Sequence, residues 1–171
     1  QDAKYIGLEP HNWVTAWVAI TDSNEHNGCM RMWSGSHKDN LKQHDQKFNE
    51  RNLLTRGQTV KDVPKAETTP LVLTAGQMSL HHPTVVHGSD LNKSNDRRIG
   101  FVIQSYIGTN VKQVLGRNSV QLARGKDDFN FHEKIERSKS LMDKGDLKLK
   151  KKENDNLQEI FYKGSTKKGQ L

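Results

Sequence analysis

QMSLHHPTVVHGSDLNKSNDRRIGFVIQSYI, residues 77–107, decides how the rest of this chain is read. Turn formers cut it into short runs: a strand is expected from Gln77 to about His82, another near Val85 to His87, and the strongest from Arg98 to Ile107. Towards the N-terminus, Leu71 to Leu73 and a turn at Ala75-Gly76 continue the pattern. The run Trp13 to Ile20 (WVTAWVAI) is nearly free of polar groups and suits a strand covered on both faces, with Trp13, Thr15 and Trp17 sharing one of them. Asn27-Gly28 supplies a turn, and Cys29 to Trp33 reads as a returning strand that stops at Ser34-Gly35-Ser36. His37 to about Lys65 is polar and aperiodic, as expected of a long surface excursion that often serves as a lid. Short strands separated by turns, ahead of a helical end, point to a barrel or jelly roll rather than a doubly wound sheet.

From about Glu133 the composition changes to Lys, Asp, Glu and Asn with scattered Leu and Ile. Leu157, Ile160 and Phe161 there have the i, i+3, i+4 spacing of one helical face. A length of 171 residues fits one domain with appendages. No stretch approaches the ~20 consecutive apolar residues of a bilayer span. Cys29 is the only cysteine, so no internal disulfide and no cysteine-rich zinc site can form. A cytoplasmic protein without membrane association is expected. The net charge of +7 is uneven, because residues 133–171 hold 11 Lys and Arg against 7 Asp and Glu. The cluster Lys148, Lys150, Lys151, Lys152 has no interleaved aromatics to stack on bases, so it reads as a solvated basic face and not as a nucleic-acid site.

Chemistry enters with His81, His82 and His87. Taken singly, each is more often a hydrogen-bonded structural residue than a ligand. Together, and followed by Gly88-Ser89 and the basic pair Arg97-Arg98, they mark a candidate site.

Over about Gln1 to Tyr106 the sequence resembles the phytanoyl-CoA dioxygenase family. Gln1-Asp2 look like the last two residues of that family's proximal His-Gln-Asp motif. The distal motif, a His-Pro pair, then His-Gly-Ser, Asn, a small hydroxyl residue and Arg, resembles His82-Pro83, His87-Gly88-Ser89, Asn92, Ser94 and Arg98. Asn27-Gly28-Cys29 and Ser34-Gly35-Ser36-His37 resemble two further signatures, Ser34 replacing the usual proline.

This resemblance implies a mainly β, cupin-like jelly roll (double-stranded β-helix) with a C-terminal helical segment, read as lacking its N-terminal part. Residues 1–132 would be the catalytic domain and 133–171 a basic helical or partly disordered segment. It implies Fe(II) as cofactor, with 2-oxoglutarate and O2 as cosubstrates and a small molecule as substrate. Asp2 and His87 would be metal ligands, and the remaining ligand histidine would immediately precede Gln1. In a His-X-Asp pair on a strand, residues two apart share a face, and with a distant histidine they make a facial triad with three open positions. Arg98 would grip the far carboxylate of 2-oxoglutarate with two parallel hydrogen bonds. Arg97 is its competitor, since neighbouring strand residues face opposite sides. Ser89, Trp17 and Gln1 would complete the cosubstrate pocket; His82 would be polar support or face substrate, and His81 simply structural. Oxidative decarboxylation of 2-oxoglutarate coupled to C–H hydroxylation is the implied reaction. A related halogenase, a non-catalytic jelly-roll binding module and a zinc hydrolase are the alternatives.

Overall fold

The computed structural model describes residues 1–45, 59–138 and 140–163. In chain order the elements are helix α1 (Ala3–Ile6), strands β1 (Leu8–Glu9), β2 (Trp13–Ala19), β3 (Met30–Trp33), β4 (His44–Asp45), β5 (Thr59–Val60), β6 (Thr68–Pro70), β7 (Met78–His81), β8 (His87–Ser89), β9 (Gly100–Ile107), β10 (Lys112–Gln113), β11 (Ser119–Val120), β12 (Glu133–Lys134), and helix α2 (Lys144–Phe161). The chain divides into two compact units. The first comprises Gln1–Lys4, His11–Asp45 and Thr59–Ile107, and the second the remainder. The boundary expected at 132/133 falls inside the second unit.

Two three-stranded antiparallel sheets build the first unit, with orders β7-β2-β9 and β6-β3-β8. Successive strands β2, β3, β6, β7, β8 and β9 pass from one sheet to the other four times, which is how a jelly roll is wound. β2 sits centrally in its sheet, as its apolar run predicts: Trp13, Thr15, Ala16, Trp17 and Ala19 are all buried. β3 does return after Asn27-Gly28, but it pairs with β6 and β8 and not with β2. Local turn chemistry directs the chain back without choosing its sheet. Gly28 is required there twice over, since its φ is +76° and a Cβ would lie 2.7 Å from the Asp90 carbonyl oxygen.

Several boundaries differ from expectation. The strand foreseen from Arg98 begins at Gly100, the one foreseen near Val85 begins at His87, and Leu71–Leu73 supplies only an isolated bridge from Leu73 to Ser23. Leu71, Val86 and Ile99 still make backbone hydrogen bonds to Met30, Trp33 and Ile20, but these do not extend the ladders. Of the long excursion, residues 46–58 lie outside the described residues, and its described parts include only β4 paired with β5.

In the second unit, β1 pairs antiparallel with β10 and β11 parallel with β12. The Asp143 carboxylate caps α2 by accepting from the Gly145 and Asp146 amides at 2.8 and 3.2 Å. The apolar face read from Leu157, Ile160 and Phe161 is used as foreseen: Ile160 is buried, and Phe161 meets Tyr5 edge-on at 5.7 Å. No helix among the described residues is long and apolar enough to cross a membrane.

Candidate metal centre

Among the described residues one group of metal-ligating side chains comes together: Asp2, His81 and His87, whose ligand atoms all lie within 4.8 Å of one another. All three belong to the first unit. His81 ends β7 in one sheet and His87 opens β8 in the other, so the tight turn at Pro83-Thr84 carries the chain across and sets the two rings 5.2 Å apart. Asp2 is not on a strand, as the motif reading expected. It precedes α1, where the Ala3 amide donates to the Pro83 carbonyl at 3.0 Å and brings the carboxylate beneath that same turn.

The protonation pattern fits a cation. His87 Nδ1 lies 3.1 Å from the Val85 carbonyl, which can only accept, so Nδ1 donates to it and Nε2 is the ring atom left for the site. That Nε2 faces Asp2 Oδ1 at 3.5 Å. His81 Nε2 stands 3.8 Å from Asp2 Oδ2, and its Nδ1 is buried with no hydrogen-bond partner. Burial, and then the neighbouring His87, push the His81 pKa below its ordinary value against the pull of Asp2, keeping the ring in the neutral form a metal binds. Two imidazoles and a carboxylate are a donor set suited to Fe(II) or Zn(II). Donors at cis positions of such an ion are about 3 Å apart, so the observed separations need close only slightly.

The cosubstrate group foreseen from sequence is also brought together. The Arg98 guanidinium lies 5.6 Å from the Trp17 ring centroid and donates to Ser89 Oγ at a long 3.4 Å. Arg98 is half-buried and Arg97 exposed, although neither is on a strand, so loop conformation and not strand alternation separates them. Gly100 makes room for Trp17, since a Cβ there would lie 2.1 Å from the ring. Gln1 is engaged elsewhere: its amide donates to the Asn40 and Thr84 carbonyls and accepts from the Lys42 amide. Asn92 and Ser94 bond to each other and to Asp96, shaping their own loop. His82 faces away from His81, with its ring 5.6 Å from that of His37 and Nδ1 on Thr84 Oγ1. Sequence reasoning assigned His81 to structure alone. The signal for it was its position beside Thr15 on β2, visible only once the pairing is known.

Comparison with known proteins shows what the chain is similar to. The family model described as Phytanoyl-CoA dioxygenase (PhyH) matches residues 1–100. The peroxisomal phytanoyl-CoA dioxygenase of Mus musculus is 32% identical over 100 residues, covering 57% of this chain and 30% of that protein. A phytanoyl-CoA dioxygenase domain-containing protein 1 homolog from Caenorhabditis elegans is 27% identical over 119 residues, covering 65% of this chain and 41% of that protein. The chain thus spans well under half the length of these curated relatives. Among solved structures, the non-heme monooxygenase ThoJ superposes with a TM-score of 0.81 at 30% identity, over 95% of this chain and 59% of that one. The epimerase SnoN, solved with Fe3+ and alpha ketoglutarate, shares the fold at TM-score 0.50 and 23% identity, over 66% of this chain and 42% of that one.

Proposed function

The chain belongs to the phytanoyl-CoA dioxygenase family, and on that premise we propose that it is the catalytic part of an Fe(II)- and 2-oxoglutarate-dependent dioxygenase hydroxylating an unactivated C–H bond of a small organic molecule. The observation that carries this reading is the convergence of Asp2, His81 and His87, whose ligand atoms all lie within 4.8 Å of one another. Asp2 and His87 hold the ion, and His81 is the third donor in reach among the described residues. Bound iron supplies the O2 activation that converts 2-oxoglutarate to succinate and CO2.

The remaining work falls to the protein. Arg98 pairs with the far carboxylate of 2-oxoglutarate in a fork that lysine cannot match, Ser89 adds a hydroxyl, and Trp17 forms an apolar wall beside them. Asp2, by filling a coordination position with a carboxylate, keeps an anion such as chloride off the metal, which favours hydroxylation over halogenation. The named residues all fall within residues 1–132, the span we propose as catalytic domain, with 133–171 as its appendage. A reducing compartment such as the cytoplasm suits Cys29, which is buried and unbridged.

The experiment is succinate release from 2-oxoglutarate by the full-length protein with Fe(II) under air, compared with its His87→Ala variant. Release by the wild type and none by the variant supports the reading. A wild type that releases no succinate, or a His87→Ala variant that releases as much as the wild type, overturns the proposal.

A further inference from the structure

Asp2 has two carboxylate oxygens in different company, and the difference traces to one residue outside every recognised motif. Oδ1 faces His87 Nε2, whereas Oδ2 stands 3.8 Å from His81 Nε2 and also accepts a hydrogen bond from Thr15 Oγ1 at 3.0 Å, with both Asp2 and Thr15 buried. Thr15 lies mid-strand on β2, paired through its Cα with His81 on β7. On its other flank the ladder to β9 is irregular. Val14 pairs with Tyr106 and Ala16 with Ile103, so Gln104 and Ser105 together oppose Thr15. Ser105 adopts φ +70°, a conformation that a serine seldom takes without reason. A bulge of this kind bends the strand pair locally and re-aims the side chain it faces.

Resting on the metal site proposed above, we infer that Thr15 is a positioning residue that orients the Asp2 carboxylate for metal binding. The hydroxyl holds the carboxylate in place beside His87 and His81, so that an ion would not have to order it on arrival. Hydrogen-bonding partners of metal ligands typically change metal affinity by 10- to 100-fold when removed.

The test uses the full-length protein and compares wild type, Thr15→Val and Thr15→Ser. Valine keeps shape and β-branching but removes the donor; serine keeps the donor and removes the methyl. Ni(II) affinity is measured by calorimetry as a redox-silent probe, and Fe(II) with 2-oxoglutarate is titrated anaerobically through the charge-transfer absorption of the chelate. We expect Thr15→Val to bind Ni(II) about 10- to 100-fold more weakly and to lose chelate absorption at matched iron. Thr15→Ser should stay within about threefold of wild type, a rescue that a purely structural threonine would not show. A folded Thr15→Val protein with wild-type affinity and absorption overturns the inference, as does a serine variant as impaired as valine. Should valine prevent folding, Thr15→Ala makes the same comparison without steric demand. A wild type that binds no Ni(II) would instead overturn the proposed function, which keeps the two failures apart.

Discussion

Replacing His81 with leucine separates a ligand from a structural histidine, because the two roles predict opposite changes in stability. His81 Nδ1 is buried and unpartnered, and its Nε2 reaches Asp2 only at 3.8 Å. An unsatisfied buried polar atom costs about 1–3 kcal/mol, so without metal His81→Leu should be at least as stable as wild type. With metal the order reverses. At free Ni(II) about 100 times its dissociation constant, the wild type gains about 2.7 kcal/mol; if the variant binds 100-fold more weakly it gains about 0.4 kcal/mol. For a protein of this size those gains correspond to roughly 5–11 °C and roughly 1–2 °C in melting temperature. Thermal unfolding with and without Ni(II), followed by circular dichroism, reads both quantities in one experiment. A variant that is destabilised without metal yet keeps the full metal-induced rise would refute the reasoning and return His81 to a structural role.

Arg98→Ala should raise the apparent KM for 2-oxoglutarate by at least about 30-fold, since about 2 kcal/mol or more of charge-assisted bonding is lost. Arg97→Ala should change it by less than about threefold, and steady-state succinate assays would expose the reverse ranking. Gly100→Ala should destabilise the fold by about 1–3 kcal/mol in urea unfolding, because its Cβ would meet the Trp17 ring at 2.1 Å. The pKa values of His44, His81 and His82 are all lowered, chiefly by burial. The unfolded chain therefore takes up protons first, and the metal-free protein should lose stability progressively as pH falls below about 6.5. Urea midpoints that rise on acidification between pH 7 and 5 would contradict this.

What the sequence could disclose depended on whether the determining contacts were local. β2 was legible because a strand buried on both faces must be apolar throughout, and WVTAWVAI is. The proximity of Asp2 and His87, and of Arg98, Ser89 and Trp17, followed from motif resemblance, which imports long-range geometry that periodicity lacks. His81 was not legible. Of two adjacent strand histidines one must face inward, but which one depends on the pairing of His81 with Thr15, 66 positions earlier in the chain. The same limitation hid Thr15 behind a fair reading of it as core, and left the partners of β3 undetermined. A loop and not a strand carries Arg97 and Arg98, because the ladder to β2 starts only at Gly100.

Gln1 gives the carboxylate proposed as a metal ligand an unusual dependence on remote parts of the chain. Its side chain ties three backbone groups together, the carbonyls of Asn40 and Thr84 and the amide of Lys42, one residue before Asp2. Asn40 and Lys42 belong to the start of the long excursion that runs on to Lys65. Any event that shifts Asn40 or Lys42 therefore pulls on the residue next to the proposed metal ligand. Thermodynamic linkage makes the pull mutual: an ion held by Asp2 would also favour the arrangement of Asn40 and Lys42 that Gln1 requires. The arrangement of that segment and metal retention would then be two readings of a single equilibrium, joined through one amide side chain.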